Sequence, residues 1–333
     1  MTTTLLKSYN IAPRQVRCNP SILFLNLVTI LWGSQHVVIK TVVSTAVDPA
    51  SFTLARFALA SLIATPFSWK LLIFAKSKSL IWRWGAELGS WMFLGYAFQA
   101  IALEHTTAQK SAFLLYLNVK FVPFFAYFVA KRSISTATWV SAIVAVIGTS
   151  LLVYGGSQDS EAGLNNFNVG DAWSMAAAAA SAMFILRLES ASSVITDAAA
   201  LNATCLWCVA AASLIWSIFD RHQKQYWVES VKITLSQHKW ELLYLSAITT
   251  TLANWIQTRA QRQVTAERAS VIYAMDPVWG ALWANAILGE VLSPMGSLGA
   301  LIITLAAAAN AIIDFGTKRS NSSTGKKIGS QIV

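Results

Sequence analysis

Residues 99 to 132 read QAIALEHTTAQKSAFLLYLNVKFVPFFAYFVAKR, and a diverged copy, QTRAQRQVTAERASVIYAMDPVWGALWANAILGE, occupies residues 257 to 290 without a gap. The aligned pairs include Ala102 with Ala260, Thr107 with Thr265, and Asn118 with Asp276. The chain is therefore predicted to consist of two related halves. Because the copies differ at polar positions within apolar surroundings, those positions are where function is expected.

The composition is typical of a membrane protein. Of the 333 residues 55% are hydrophobic and only 12% are charged, with a mean hydropathy of +0.52. This is too little polar surface to cover a soluble globule of the same size. Runs of about 20 apolar residues, the length that spans a bilayer, account for nearly the whole chain.

The apolar runs predict an all-α membrane protein with ten transmembrane helices. They lie at residues 22–45, 51–74, 85–104, 109–130, 136–155, 169–187, 194–219, 241–263, 268–288 and 294–316. Five helices in each half is an odd number, so the second half enters the membrane from the opposite side and the repeat is inverted. The predicted division is an N-terminal tail at 1–21, a first repeat at 22–155, a linker at 156–168, a second repeat at 169–316 and a basic tail at 317–333.

The loop charges predict the orientation. With the N-terminus in the cytoplasm, sixteen of the twenty-five Lys and Arg residues fall in inside segments, as the positive-inside rule requires. Both termini are then cytoplasmic. The N-terminal tail reads either as a plain cytoplasmic tail or as the remnant of a targeting segment. Since the basic residues are spread over short loops, the net charge of +10 indicates topology rather than nucleic-acid binding.

Two opposite charges fall near the middle of aligned helices, Lys120 in the fourth and Asp276 in the ninth. A charge in the hydrocarbon core costs about 2.5 to 3.5 kcal/mol on insertion scales. We hypothesise that both residues face a common cavity, where they pair with each other or engage substrate; a fixed ion pair is the alternative. Arg259, whose aligned partner is the apolar Ile101, is either a site for an anionic group of the substrate or a structural arginine.

Several neutral polar residues are predicted to line the same cavity. They are Gln35, His36, Gln99, Tyr116, Asn118, Asn254, Gln257 and Tyr273. His36 is either a proton carrier or a partner in a helix–helix hydrogen bond. Pro123 and Pro277 remove backbone hydrogen bonds within helices and are predicted to loosen them for gating. Lys40 and Arg56, toward the outer helix ends, are predicted to snorkel or to brace the fold.

The sequence carries no sign of catalysis. It lacks the phosphate-binding loop G-x-x-x-x-G-K-[ST], the zinc motif H-E-x-x-H and the nucleophile elbow G-x-S-x-G. It also lacks a cluster of His, Cys and carboxylates at metal-ligand spacing. The protein is therefore predicted not to be an enzyme and to use neither a metal nor another cofactor.

Short motifs across both halves resemble a known family. They are LWGS at 31–34 with Lys40, LARF at 54–57, Thr265-Ala266 leading to Pro277, and Leu288-Gly289-Glu290. In this order they look like the two EamA repeats of the drug/metabolite transporter superfamily, over residues 22 to 316. The first repeat departs from the family pattern, with Val119 and Arg132 where a proline and a glutamate usually stand.

The resemblance implies a secondary transporter that moves small polar, amino-acid-like metabolites by alternating access around a cavity between the repeats. One alternative is an organellar exchanger of anionic or phosphorylated metabolites, for which Lys120 and Arg259 would supply the basic groups. Another is a non-transporting scaffold or sensor. The expected partners are the lipid bilayer and a small-molecule substrate, with a homodimer left open and no nucleic acid. The membrane is either the plasma membrane or a plastid-type organelle envelope.

Overall fold

The computed structural model describes residues 20–43, 49–105, 111, 114–134, 136–155, 168–219, 232–233, 235–289, 293–306 and 309. Every regular element in these ranges is helical. The first half contains α1 (Pro20–Val43), α2 (Pro49–Ala64), a 3₁₀ turn (Thr65–Phe67), α3 (Trp69–Phe74), α4 (Lys78–His105), α5 (Asn118–Phe128) and α6 (Thr136–Gly155). The second half contains α7 (Val169–Val194), α8 (Ala198–Phe219), α9 (Lys239–Tyr244), a π-helical segment (Leu245–Leu252), α10 (Ala253–Gln261), α11 (Ala266–Tyr273), α12 (Asp276–Leu288) and α13 (Pro294–Ala306).

The all-helical, apolar character predicted from the sequence is confirmed. Among the described residues, Pro20–Ile39, Val169–Val194 and Ala198–Phe219 are long and apolar enough to cross a membrane. Shorter apolar helices run over Ser51–Phe67, Thr138–Leu151 and Pro294–Ala306. The count of ten spans, their inverted arrangement and the cytoplasmic termini stay predictions.

Several helices differ from the uninterrupted spans that hydropathy predicts. The run 51–74 is broken by the 3₁₀ turn, where Pro66 lies in the first turn and Ser68 N donates to Thr65 O at 3.0 Å. The run 241–263 contains the π-helical segment, and the run 268–288 is divided at residues 274–275. Hydropathy averages apolarity over a window, so it detects neither a short break nor a change of hydrogen-bonding pattern within an apolar run.

The helix starts follow the local sequence. Asn168 and Asp171 form a capping box, in which each side chain accepts the other's backbone N–H at 2.9 Å, and α7 begins at the next residue, Val169. Similarly, Asp197 accepts the N–H of Ala200 at 2.8 Å at the start of α8. α4 begins at Lys78 rather than at the predicted residue 85. Its first turns include the charged residues Lys78 and Arg83, which the apolar run leaves out.

The core lies where the two halves meet. α4 packs along α7 and α8, and a Cβ added to Gly89 would lie 2.6 Å from Cys208 Cβ, so this contact needs a residue without a side chain. The contacts recur with the halves exchanged: α1 packs on α10 and α12, as α7 packs on α4 and α5. The aligned copies therefore occupy equivalent places in the core.

Candidate functional site between the two halves

The centre of the contact between the halves is a close approach of α1 and α12. A Cβ added to Gly33 would lie 2.6 Å from Trp279 Cβ and 2.7 Å from the backbone N of Gly280. Only glycine fits such a backbone contact. The LWGS sequence of α1 is thus explained by packing, and it places Trp32 against Tyr273 of the second half and Gln35 beside Arg56 of α2.

Asp276 lies at the break between α11 and α12. It is the first residue of α12, is 9% exposed, and accepts a hydrogen bond from the Tyr116 hydroxyl, with 3.3 Å between Oδ2 and the phenol oxygen. A carboxylate at a helix N-terminus is stabilised by the free N–H groups there. Pro277 follows in the first turn, where its missing N–H breaks no helical bond. Tyr116 itself lies in the turn before α5, so two helix ends meet at this carboxylate.

Pro123 behaves differently from Pro277. α5 continues through it from Asn118 to Phe128, and its side chain is buried. It therefore marks no helix end in this structure, and its predicted gating role stays a prediction.

Side chains of α10 and α11 form a second polar group. The Gln261 amide donates to the carbonyl of Ile185 at 2.8 Å, and the Tyr273 hydroxyl donates to Gln261 Oε1 at 3.3 Å. The Tyr273 ring packs against Trp32 with 5.3 Å between centroids. Gln257 is 1% exposed, and although the Tyr273 hydroxyl interacts with it, neither of its amide atoms meets hydrogen-bond geometry with a described residue.

Arg56 is the centre of a third polar group, formed by α1, α2 and the π-helical segment. Its Nε donates to Thr250 Oγ1 at 2.8 Å, and its Nη2 donates to Gln35 Oε1 at 2.8 Å and to Thr249 Oγ1 at 3.3 Å. Its carbonyl accepts from Ser246 Oγ at 3.0 Å. Arg56 is 4% exposed, so it is buried inside the bundle rather than extended to the surface.

The predicted ion pair between Lys120 and Asp276 is not formed in this structure. Val119, Val122 and Ala126 form the buried stripe of α5, which leaves Lys120 on the opposite, exposed face. The helical register therefore separates it from the Asp276 carboxylate, whose neighbour from the first half is Tyr116 instead.

The other predicted cavity residues are dispersed. Arg259 is exposed, with its guanidinium 5.6 Å from the centre of the Trp255 ring. Asn254 is buried and lines a void between α4, α7, α8 and α10, with room for about one water molecule. Gln99 and Asn118 are half-buried. The side chains of His36 and Lys40 lie outside the described residues.

One end of the bundle carries ion pairs that the sequence did not predict, and we refer to it as the Arg132 end. Arg132, just after α5, donates from Nη1 to both carboxylate oxygens of Glu189 at 2.7 and 2.9 Å. The same nitrogen is 3.7 Å from Glu267 Oε1. The hydrogen bond to Glu189 raises the pKa of Arg132 above its usual value, which keeps the guanidinium charged.

Glu189 also ties the end of α7 to the start of α11, because its Oε2 accepts the backbone N–H of Ala266 at 2.9 Å. Two residues earlier on α7, Arg187 pairs with Glu87 of α4, with 3.0 Å between Nη2 and Oε2, and its guanidinium lies 4.8 Å from the Trp84 ring centre. Both ion pairs join the first half to the second. The missed signal was the presence of Arg187 and Glu189, of opposite sign, at the end of an apolar run.

The described side chains offer no group of three or more His, Cys, Asp or Glu residues able to hold a metal ion. What they do provide is a bundle of apolar helices whose buried polar groups gather between two equivalent halves. This arrangement is that of a helical membrane protein with several apolar helices.

Comparison with known proteins identifies the family. The EamA-like transporter family model matches residues 19–154 and again 168–311, so the chain belongs to that family and is a membrane transporter by homology. One relative, an uncharacterized transporter of Archaeoglobus fulgidus, is 26% identical over 284 residues, which are 85% of this chain and 82% of the relative. A crystal structure of a protein with 16% identity superposes with a TM-score of 0.67 over 88% of this chain and 97% of the other, and shows the shared fold.

Proposed function

We propose that the protein is a secondary transporter of small polar, amino-acid-like metabolites that works by alternating access. Its ten helices would form two inverted five-helix repeats with both termini in the cytoplasm, in a plasma membrane or an organelle envelope. The observation that carries the proposal is the placement of Asp276: a buried carboxylate at a helix break, met by Tyr116 from the other half. Irregular backbone within a bilayer is tolerated where it is buried in protein or lines a cavity, and broken helices of this kind form transporter binding sites.

The ion pairs at the Arg132 end support a closed gate at that end in this conformation. Arg132 and Glu87 of the first half meet Glu189 and Arg187 of the second. Ser21 at the start of α1 donates to Gln263 Oε1 at 3.0 Å, which adds a third contact between the halves. Rocking of one half against the other would break all three contacts together and open a path from this end.

Two other functions stay as alternatives. An exchanger of phosphorylated metabolites would need basic groups in the cavity; the candidates are Lys120 and Arg259, which are both exposed, and the buried Arg56. A scaffold or sensor would not need polar groups buried between the halves. A thermal-shift screen of the purified protein against amino acids, nucleotides and sugar phosphates separates these readings, because a ligand that binds only the folded state raises its melting temperature.

The direct test is uptake by proteoliposomes of the amino acids that score in the screen. Asp276→Asn keeps the shape of the side chain and removes its charge, so we expect it to abolish uptake. Tyr116→Phe removes only a 3.3 Å hydrogen bond and is expected to reduce uptake about tenfold without abolishing it, which is the lower end of the about 1.5 to 3 kcal/mol that a bond to a charged group contributes. Unchanged uptake by a normally abundant Asp276→Asn protein would refute the role of this carboxylate.

A further inference from the structure

Arg56 stands out among the described side chains because it is the one buried base, and its hydrogen-bond partners are all neutral. They are the hydroxyls of Thr249 and Thr250 and the amide oxygen of Gln35. No carboxylate of the described part of the chain lies within ion-pair distance of it. By contrast, Arg132 and Arg187 each meet a glutamate.

The three neutral partners fix the guanidinium but do not neutralise it. A guanidinium has five N–H donors; here Nε and Nη2 supply the bonds to the protein, and Nη1 donates to no described group. Arginine does not lose its proton in proteins. Because a buried charge without a counter-ion costs several kcal/mol, an anion that reaches Nη1 would gain both a hydrogen bond and charge neutralisation.

The surroundings hold Arg56 in place. Ser246 Oγ donates to its carbonyl, and Thr251 Oγ1 donates to the carbonyl of Ala60 one turn further, each at 3.0 Å, so α2 is fastened to the π-helical segment on either side. Segments with π-helical bonding occur frequently at functional sites. A guanidinium with fixed orientation loses little entropy on binding and matches the two oxygens of a carboxylate.

We propose that Arg56 binds the carboxylate of the transported molecule, which makes the substrate class amino acids or other small organic acids rather than amines. This inference rests on the proposed transport function. It moves anion recognition from Lys120 and Arg259, both exposed, to the arginine that the sequence reading had placed among the structural residues.

The test compares carboxylates with the amines that lack only that group. Melting temperatures of the purified full-length protein are measured with the twenty amino acids and propionate, and with 3-methylbutylamine and 2-phenylethylamine as the decarboxylated counterparts of leucine and phenylalanine. We expect at least one carboxylate to raise the melting temperature and its amine counterpart to have no effect. Equal effects of acid and amine, or no effect of any carboxylate on the folded protein, would overturn the inference.

Variants then locate the binding. Arg56→Gln should weaken the binding of that carboxylate about tenfold or more, the loss of a hydrogen bond between charged groups, whereas Arg56→Lys keeps the charge and should retain part of the affinity. Arg83→Gln removes an exposed arginine and serves as the control, with no change expected. If either Arg56 variant bound the carboxylate as tightly as the unchanged protein does, the proposal would be overturned. If Arg56→Gln does not fold, Arg56→Lys and the comparison of acid with amine still decide it.

The same experiments separate the two proposals. Arg56-dependent stabilisation by inorganic phosphate, with none by carboxylates, would overturn the carboxylate assignment and favour the exchanger of phosphorylated metabolites. Uptake of amines that Arg56→Lys leaves unchanged would contradict this inference while the transport function stands. Arg56-dependent binding of carboxylates without any uptake by proteoliposomes would support the site and contradict the transport function.

Discussion

The regions around Arg132 and Arg56 surround a guanidinium in opposite ways. At the Arg132 end the guanidinium is about one-third exposed, and two glutamates from the other half lie beside it. Around Arg56 the side chain is buried more deeply, yet the described residues offer it hydroxyls, an amide and the Phe57 ring but no carboxylate. An exposed charge that the protein neutralises is suited to a contact that forms and breaks during a cycle. A buried charge that no described carboxylate neutralises is suited to binding an anion.

The largest effect is expected from reversing the charge at the Arg132 end. Arg132→Glu would place three carboxylates together and replace attraction between the halves by repulsion. We expect the closed conformation to lose population. A cysteine introduced at the buried Ile185 should then react about tenfold faster with a membrane-impermeant thiol reagent applied from that end. A tenfold change corresponds to about 1.4 kcal/mol. The background protein has Cys18, Cys205 and Cys208 replaced by alanine.

The matched control is Lys131→Glu, which makes the same change of charge at the adjacent exposed residue, where no ion pair is made with a described residue. It should leave the labelling rate unchanged. Adding Glu189→Arg to Arg132→Glu restores an attractive pair and should slow labelling again. Equal labelling of the Arg132 and Lys131 variants would mean that these ion pairs do not hold the gate.

Two glutamines show the same contrast without charge, and for them the expected effects are on stability and uptake. Gln257 and Gln261 lie one turn apart on α10 and are 1% and 0% exposed, but Gln261 makes well-formed hydrogen bonds, whereas the Tyr273 hydroxyl interacts with Gln257 without hydrogen-bond geometry. Removing an unpaired buried amide relieves its desolvation cost, whereas removing a paired one strands its partners. Gln257→Leu should therefore leave the melting temperature unchanged or raise it while uptake falls, and Gln261→Leu should lower stability by about 1 to 3 kcal/mol.

Thermal melting of both variants in detergent, together with uptake by proteoliposomes, decides this prediction. A Gln257→Leu protein that melts at lower temperature than Gln261→Leu would show that the Gln257 amide has a partner in solution. Full uptake by a stable Gln257→Leu protein would instead remove Gln257 from the candidate site.

The sequence predicted the architecture better than the site. Long apolar runs specify α1, α6 and α8 to within a few residues, because burial in lipid needs little beyond length and apolarity. Alignment of the two halves also identified Asp276 as a position of interest. It did not reveal the partner of Asp276, because α5 turns Lys120 outward and the preceding turn supplies Tyr116, and this rotation depends on packing between distant segments.

The missed residues have a common reason. Glu189 and Glu267 lie at the ends of apolar runs, where a charge reads as an ordinary loop residue, and only the folded chain brings both to Arg132. Arg56 was noticed, but its neutral surroundings come from Thr249 and Thr250, almost two hundred residues away in the chain. A one-dimensional pattern reports which groups are polar, and the fold determines whether their charges are matched.

The smallest effect is expected from Asp197, a carboxylate whose role lies within one half. It caps α8 through the N–H of Ala200 and takes no part in the ion pairs between the halves. Asp197→Ala should therefore cost about 0.5 to 2 kcal/mol of stability, as lost N-caps do, and leave the labelling of a cysteine at Ile185 unchanged. The variant thus lowers stability without charge repulsion between the halves. If it accelerated labelling as much as Arg132→Glu does, general destabilisation would explain the opening, and the ion pairs at the Arg132 end would lose their assigned role.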